Sequence, residues 1–272
     1  RGRGGRVKRY ARLALEGDRV SYAELGERGA ELLDAAPWLG GRPTGELLEG
    51  LDVGALGAHR LLAPVEPRTI LCVGRNYRAH AKELGNEVPV EPMLFYKPVT
   101  ALLDPGGTLE LPPTSISSRV EHEAELAVVV GRRLRRASLE EAAAGVFGLT
   151  IACDVTARDL QKKDGQWWRA KGMDGFCPVG PVVLSGLDAG ALEIECRIDG
   201  ELRQSGHTRD MIFSIATVLS HVSQVITLNP GDLILTGTPE GVGPIPPGSR
   251  VSIRVAPIGV LEFVAAASSG DR

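Results

Sequence analysis

The sequence has 272 residues, 43% hydrophobic and 24% charged, with a formal net charge of −3. That length and composition suit a globular chain with one large core, or one large and one small. Acids and bases are interspersed, which gives nucleic acid no electrostatic footing, and no apolar run approaches the ~18–20 residues that cross a bilayer.

The Arg-rich opening (Arg1, Arg3, Arg6) is too short for a basic arm and carries no signal-peptide pattern. It is expected to be a trimmed or frayed terminus. Residues 7–22 alternate on either side of Glu16-Gly17-Asp18-Arg19 and predict a hairpin. Residues 23–33 read as a short helix, and Gly40-Gly41-Arg42-Pro43-Thr44 as a loop. Residues 61–67 hold Pro64 and Pro67, which enforce extended backbone, and read as a linker. A boundary placed there gives a small, β-containing N-terminal domain (1–66) and a larger one (67–272).

From Thr69 the pattern changes. Residues 69–73 form an apolar strand running into Gly74-Arg75-Asn76-Tyr77, and a helix follows over 78–84, stopped by Gly85-Asn86. Residues 93–97 are a second apolar strand, ended by Pro98. Residues 120–131 (Val-Glu-His-Glu-Ala-Glu-Leu-Ala-Val-Val-Val-Gly) begin acidic and end as a buried strand. Ser138 and Glu141 make a capping box ahead of a short Ala-rich helix, and 149–154 is again strand-like. Residues 192–198 alternate before an Asp199-Gly200 hairpin turn. Ser214 opens a helix with Ile215, Val218, Leu219 and Val222 on one face. After Asn229-Pro230-Gly231-Asp232 come a strand at 233–235 and alternating residues from Val251 to Phe263. Strands outnumber helices and come in hairpins, so the fold class is α+β, β-rich and mixed rather than doubly wound. Cys72, Cys153, Cys177 and Cys196 form no paired-ligand motif. Apolar flanks suit reduced, buried thiols in a cytoplasmic protein, and none is marked as a nucleophile.

Along a strand, Glu123 and Glu125 point the same way, about 6–7 Å apart. Two carboxylates at the edge of a core repel unless a proton or a cation sits between them; the plainer alternative is that this strand end reaches solvent. Asp154 is a third acid at the end of an apolar strand, or else a cap for a helix beginning near Thr156. Together, Glu123, Glu125 and Asp154 are an all-oxygen set that selects Mg²⁺, Mn²⁺ or Ca²⁺ over Zn²⁺ and leaves positions open for a chelating substrate. Arg158 and Gln161 share a face if their segment is helical; a solvated loop with Trp packing is the alternative. Thr236-Gly237-Thr238-Pro239-Glu240-Gly241-Val242-Gly243 is either a wide turn or a cradle for a small carboxylate, and lacks the Lys-Ser/Thr end of a phosphate loop. His80 and Glu83, three apart on a helix, are half of a general-base pair or a common surface pairing.

Taken jointly, several stretches resemble the fumarylacetoacetate hydrolase family, in its acylpyruvate-hydrolase-like subgroup. They are Cys72-Val73-Gly74-Arg75-Asn76-Tyr77, Phe95-Tyr96-Lys97-Pro98, His122-Glu123-Ala124-Glu125-Leu126, Asp154-Val155-Thr156-Ala157-Arg158-Asp159, Ala170-Lys171, Met211-Ile212-Phe213-Ser214-Ile215, and Leu235-Thr236-Gly237-Thr238-Pro239 through Gly243. They fall in family order across about residues 69–264. The resemblance implies a mixed β-roll catalytic domain, usually a homodimer, with the small N-terminal domain that many bacterial members carry. It implies metal ligation by Glu123, Glu125 and Asp154, and contact of Arg158, Gln161, Lys171 and Thr238 with a bound keto acid. His80 and Glu83 match a dyad of the hydrolytic members, and Tyr77 and Lys97 match positions near the site. Gly172-Met173-Asp174-Gly175-Phe176 departs from the best-defined hydrolases. The expected activity is metal-dependent C–C hydrolysis of acylpyruvates (2,4-dioxo acids, as in aromatic catabolism), with Mg²⁺ or Mn²⁺, Ca²⁺ being a further option. The alternatives are an oxaloacetate tautomerase or decarboxylase, a 5-carboxymethyl-2-hydroxymuconate-type isomerase, or a non-catalytic metal-binding scaffold.

Overall fold

The computed structural model describes residues 6–51 and 61–268, so Arg1 and Arg3 of the basic opening lie outside it. All seven residues of the Ala124–Val130 strand are buried. Ala124, Leu126, Val128 and Val130 pack into one hydrophobic cluster, and Ala127 and Val129 into a second. A strand buried on both faces reads as an unbroken apolar run, which is how 120–131 stands out in the sequence. Each Val or Leu so buried stabilises the fold by about 1.5–3 kcal/mol.

This strand sits within a large sheet. Its order is Pro43–Glu49, Gly29–Leu33, Val20–Gly26, Lys8–Ala14, Cys177–Ser185, Val146–Cys153, Ala124–Val130, Leu233–Leu235, Ile70–Gly74, Met93–Lys97. Leu233–Leu235 and Ile70–Gly74 run parallel, and the other neighbours on this path are antiparallel. Lys8–Ala14 and Val20–Gly26 form the predicted hairpin, and Lys8–Ala14 also pairs with Cys177–Ser185, so the first strands extend the sheet that carries the rest of the chain. Leu61–Leu62, expected within a linker, adds a short antiparallel pairing to Lys8–Ala14.

Residues 23–33 are not the expected helix. They belong to Val20–Gly26 and Gly29–Leu33, antiparallel with Gly26 opposite Gly29. Ala, Leu and Glu favour a helix, but the two glycines frame a two-residue turn. A side chain at Gly29 would meet the Leu48 carbonyl oxygen at 2.1 Å. Burial of Ala23, Ala30 and Leu32 in the common core then overrides propensity.

Two smaller sheets complete the fold. One joins Thr156–Ala157, Val120–His122 and Gly243–Pro244; the other runs Glu201–His207, Glu193–Ile198, Arg250–Val255, Gly259–Ala266, Thr108–Glu110. The Asp199-Gly200 turn has φ of 50° and 85°, the left-handed pair that a tight hairpin requires. The Leu139–Ala143 helix carries the Ser138/Glu141 capping box, and Ser214 caps Ile215–Val225 through Thr217 N–H. Among the described residues no helix is long and apolar enough to cross a membrane.

One feature of the topology creates the site. Val120–His122 lies in the small sheet and Ala124–Val130 in the large one; Thr156–Ala157 and Val146–Cys153 are divided in the same way. The two chains pair throughout, Glu121 opposite Thr156 and Ala124 opposite Cys153. Both therefore change sheets together, and Glu123 and Asp154 fall at that crossover, joined by Asp154 N–H donating to Glu123 O at 2.8 Å.

Candidate active site

Glu123, Glu125 and Asp154 converge: each offers a carboxylate oxygen, and these three atoms lie within 4.8 Å of one another. All three residues are buried, so the solvated-strand-end alternative does not hold. Asp154 is not a helix cap. Lys171 Nζ donates to Asp154 Oδ2 at 2.6 Å and to Glu123 Oε2 at 2.8 Å. Arg158 holds Glu123 Oε1 at 2.5 Å through one terminal nitrogen and Glu121 Oε2 at 2.7 Å through Nε. Its other terminal nitrogen binds Gln161 Oε1, so the helical alternative for Arg158 and Gln161 is the one realised, in Arg158–Lys163.

Lys97 closes the back of the site. Its Nζ, also buried, donates to Phe176 O at 2.8 Å, to Val155 O at 3.1 Å and to Lys171 O. It also sits 2.7 Å from Asp154 Oδ1 as an ion pair without hydrogen-bonding alignment, which leaves that oxygen without a hydrogen-bond partner. Glu125 is different again. Among the described residues it makes no ion pair, and its Oε2 accepts only from the Gly237 N–H, at 2.6 Å. Gly237 has a φ of +97°, and a Cβ there would meet Asn76 Cβ at 2.7 Å, so only glycine presents this N–H. Asn76 pins the turn by donating to Thr236 O at 2.8 Å and to Phe213 O at 3.1 Å.

These environments split the carboxylates. Burial acts to raise the Glu123 pKa, but Lys171 and Arg158 outweigh it and hold Glu123 well below the usual range. Burial, reinforced by Asp154 and Glu123, pushes Glu125 well above the usual range. The core thus carries one carboxylate whose charged form is disfavoured without a cation, beside an Asp154 oxygen without a hydrogen bond. Three oxygen donors of this kind fit a hard divalent cation, with Glu123, Glu125 and Asp154 as its ligands.

A pH dependence follows. A carboxyl whose folded pKa is raised binds more protons folded than unfolded, so its contribution to stability is full at low pH and is lost as pH rises. Glu123, ionised in both states above the ordinary carboxylate range, adds no slope there. The melting temperature in chelator should therefore fall as pH rises above that range, and Mg²⁺ or Mn²⁺ should raise it more at neutral pH than at pH 5. A cation effect that is larger at pH 5 would contradict the role given to Glu125.

A cavity of about 520 Å³ opens beside these acids, walled by His80, Glu83, Glu123, Arg158, Gln161 and Lys171, with Phe95 and Trp167 as apolar cover. Lys171 Nζ lies 5.0 Å from the centre of the Phe95 ring, a cation–π contact. His80 Nδ1 stands 3.2 Å from Glu83 Oε2, on the Arg78–Glu83 helix. Thr238, expected at the substrate, does not line this cavity: its hydroxyl donates to Ala124 O at 2.8 Å and accepts from Gln204. Sequence reasoning left Lys97 without a role and passed over Glu121 and Gln204. Glu121 carried a signal, since it shares strand parity with Glu123; Gln204 carried none. The four cysteines are buried and free, and burial pushes Cys177 and Cys196 up to about 12, so none is poised as a nucleophile.

A model of the fumarylacetoacetate (FAA) hydrolase C-terminal region matches residues 69–264. The chain belongs to the fumarylacetoacetate hydrolase family. It is 44% identical over 200 residues to an Arabidopsis thaliana protein named as a mitochondrial oxaloacetate tautomerase, covering 71% of this chain and 89% of that one. It is 42% identical over 235 residues to the Bacillus subtilis oxaloacetate tautomerase YisK, covering 81% of this chain and 77% of that one. A crystal structure of a 5-carboxymethyl-2-hydroxymuconate delta-isomerase from Mycobacterium smegmatis superimposes with a TM-score of 0.86 at 38% identity, covering 96% of this chain and all of that one. Membership makes this an enzyme fold, and the buried acidic triad is a group that could hold a divalent metal.

Proposed function

We propose that this family member is a tautomerase of oxaloacetate-type 2-oxo acids, dependent on Mg²⁺ or Mn²⁺, rather than first of all an acylpyruvate hydrolase. The observation that carries this reading is that Lys171 and Arg158 line the cavity together with Glu123, with Asp154 and Glu125 grouped behind it and Lys171 bound to Asp154. A dianionic keto acid needs cationic donors at its carboxylates and at the oxygen that gains charge on enolisation. The names of the Arabidopsis and Bacillus relatives support the same choice.

The metal, held by Glu123, Glu125 and Asp154, would supply Lewis-acid charge at the 2-oxo oxygen. The chain's own residues do the rest. Arg158, fixed between Glu121 and Glu123, offers a positive charge that cannot swing away. Burial acts to lower the Lys171 pKa, but Asp154 and Glu123 outweigh it, so Nζ holds a proton. Converting enol to keto takes one proton at carbon and releases one from oxygen, so a donor that is refilled completes the exchange. Phe95 and Trp167 give the cavity an apolar side. A second reading, hydrolysis of acylpyruvates, is favoured by one observation: His80 and Glu83 also face this cavity, and cleavage needs a base to activate water.

The test follows the ultraviolet absorbance of enol-oxaloacetate. Its decay should be accelerated by the protein with Mg²⁺ or Mn²⁺, and return to the uncatalysed rate in chelator and in Lys171→Met. Acetylpyruvate and a carboxymethyl-hydroxymuconate are assayed in parallel. Turnover of either, with no effect on enol-oxaloacetate, would replace the tautomerase reading.

A further inference from the structure

Gln204, on the Glu201–His207 strand, is fully buried, and both ends of its amide are engaged twice. Oε1 accepts from the Ala124 N–H at 3.0 Å and faces His122 Nδ1 at 2.9 Å. Nε2 donates to Thr238 Oγ1 at 2.8 Å and to Pro239 O at 2.9 Å. A backbone N–H can only donate and a carbonyl can only accept, so these partners fix which end of the amide is oxygen. His122 must then carry its proton on Nδ1. Thr238, already accepting from Gln204, turns its own proton to Ala124 O at 2.8 Å.

The outcome is a closed ring of three hydrogen bonds: Gln204 to Thr238, Thr238 to Ala124 O, Ala124 N to Gln204. Ala124 is the residue between Glu123 and Glu125, and the ring holds both of its backbone polar groups. The residues flanking the ring adjoin the same carboxylates. His122 precedes Glu123, and Gly237, which donates to Glu125, precedes Thr238. Gln204 comes from the five-stranded sheet, Ala124 from the large sheet, and His122, which bonds to Gln204 from outside the ring, from the small one, so the ring sits where all three meet.

We propose that Gln204 is a positioning residue for the metal centre: through Ala124 and Thr238 it sets the separation of the Glu123 and Glu125 carboxylates. This rests on reading the triad as a divalent-metal site. Burying a primary amide has a desolvation cost that an apolar side chain would avoid, and what the amide adds is a defined geometry. The same ring explains why the Thr238 hydroxyl faces protein rather than the cavity.

The test measures Mn²⁺ affinity by titration calorimetry and the melting temperature in chelator. Gln204→Met keeps length and removes the amide. Gln204→Glu keeps the shape but points an acceptor at Pro239 O. Ser223→Ala is the control, removing a buried hydroxyl that accepts from Ala137 N–H at 2.9 Å and donates to Ser220 O at 2.8 Å, away from the site. Partners that orient metal ligands typically change affinity by about 10–100-fold, and both Gln204 variants should bind Mn²⁺ that much more weakly. Ser223→Ala should lower the melting temperature and leave affinity alone. If either Gln204 variant folds and binds Mn²⁺ within about twofold of the wild type, or if Ser223→Ala loses as much affinity, the positioning role is overturned. Should Gln204→Met not fold, the isosteric Gln204→Glu decides. A wild-type chain that binds no Mn²⁺ would instead remove the metal centre itself, and the proposal with it.

Discussion

Glu125→Ala is expected to abolish divalent-metal binding, and metal-dependent turnover with it, while the protein stays folded. The loss should exceed the about 10–100-fold that changes behind the ligands produce, because a ligand itself is gone. Stability should move little, since two effects oppose each other. Deletion leaves the Gly237 N–H unpaired, which costs about 1–3 kcal/mol. It also removes the one buried carboxylate of the three without a basic partner, whose ionised form Asp154 and Glu123 repel. Glu125→Gln separates the two: an amide oxygen can still accept from Gly237, the repulsion is gone, and the metal-free melting temperature should be at or above that of the wild type. Calorimetric titration with Mg²⁺ and Mn²⁺, with melting curves in chelator, checks both variants. Wild-type metal affinity in Glu125→Ala would put the cation elsewhere.

The acidic triad was legible in the sequence because its acids break a rule. Ala124–Val130 must be apolar to be buried on both faces, so charges leading into it need a reason. Asp154 was less plain, since an acid before Thr156 also suits a cap; only the paired change of sheet brings it opposite Glu123. Hairpins at Asp199-Gly200 and Glu16 to Arg19 were legible because turns are local chemistry. The failure at residues 23–33 has the opposite cause: propensity there favours a helix, and what overrides it is pairing with Lys8–Ala14 and Pro43–Glu49 and burial in the common core, which residue preference alone does not show. The same limit explains Lys97 and Gln204. A lysine whose partners are the carbonyls of Val155, Lys171 and Phe176, and a glutamine tied to Ala124 and Thr238, depend on groups far apart in sequence meeting in the fold. No spacing in the chain encodes such a meeting. Thr238 was placed near the site from its motif; the direction of its hydroxyl, decided by Gln204, was not in that motif.

His80→Ala is expected to separate the two chemistries proposed for this cavity. His80 is buried, its Nδ1 is held 3.2 Å from Glu83 Oε2, and Glu83 Oε1 accepts from the Gly241 N–H at 3.0 Å. The imidazole is therefore oriented from the Gly-rich turn as well as from its own helix, which leaves Nε2 as the nitrogen able to take a proton from water. A positioned base contributes about 10²–10⁴-fold, so acylpyruvate cleavage should fall by that factor in His80→Ala. Ketonisation of enol-oxaloacetate needs charge and a proton donor, both of which Lys171 supplies, and should fall by less than about tenfold, well below that range. Mn²⁺ affinity should not change, because His80 is not one of the three acids proposed to hold the metal. Rates with both substrates, measured on one preparation, give the answer. Equal losses would move the carbon-bound proton from Lys171 to His80 and make one base common to both reactions. No loss in either would leave the dyad holding the Gly241 turn in place and nothing more. Cleavage lost with ketonisation kept assigns His80 to water, and gives a physical basis for one family scaffold serving tautomerases and hydrolases with the same metal centre.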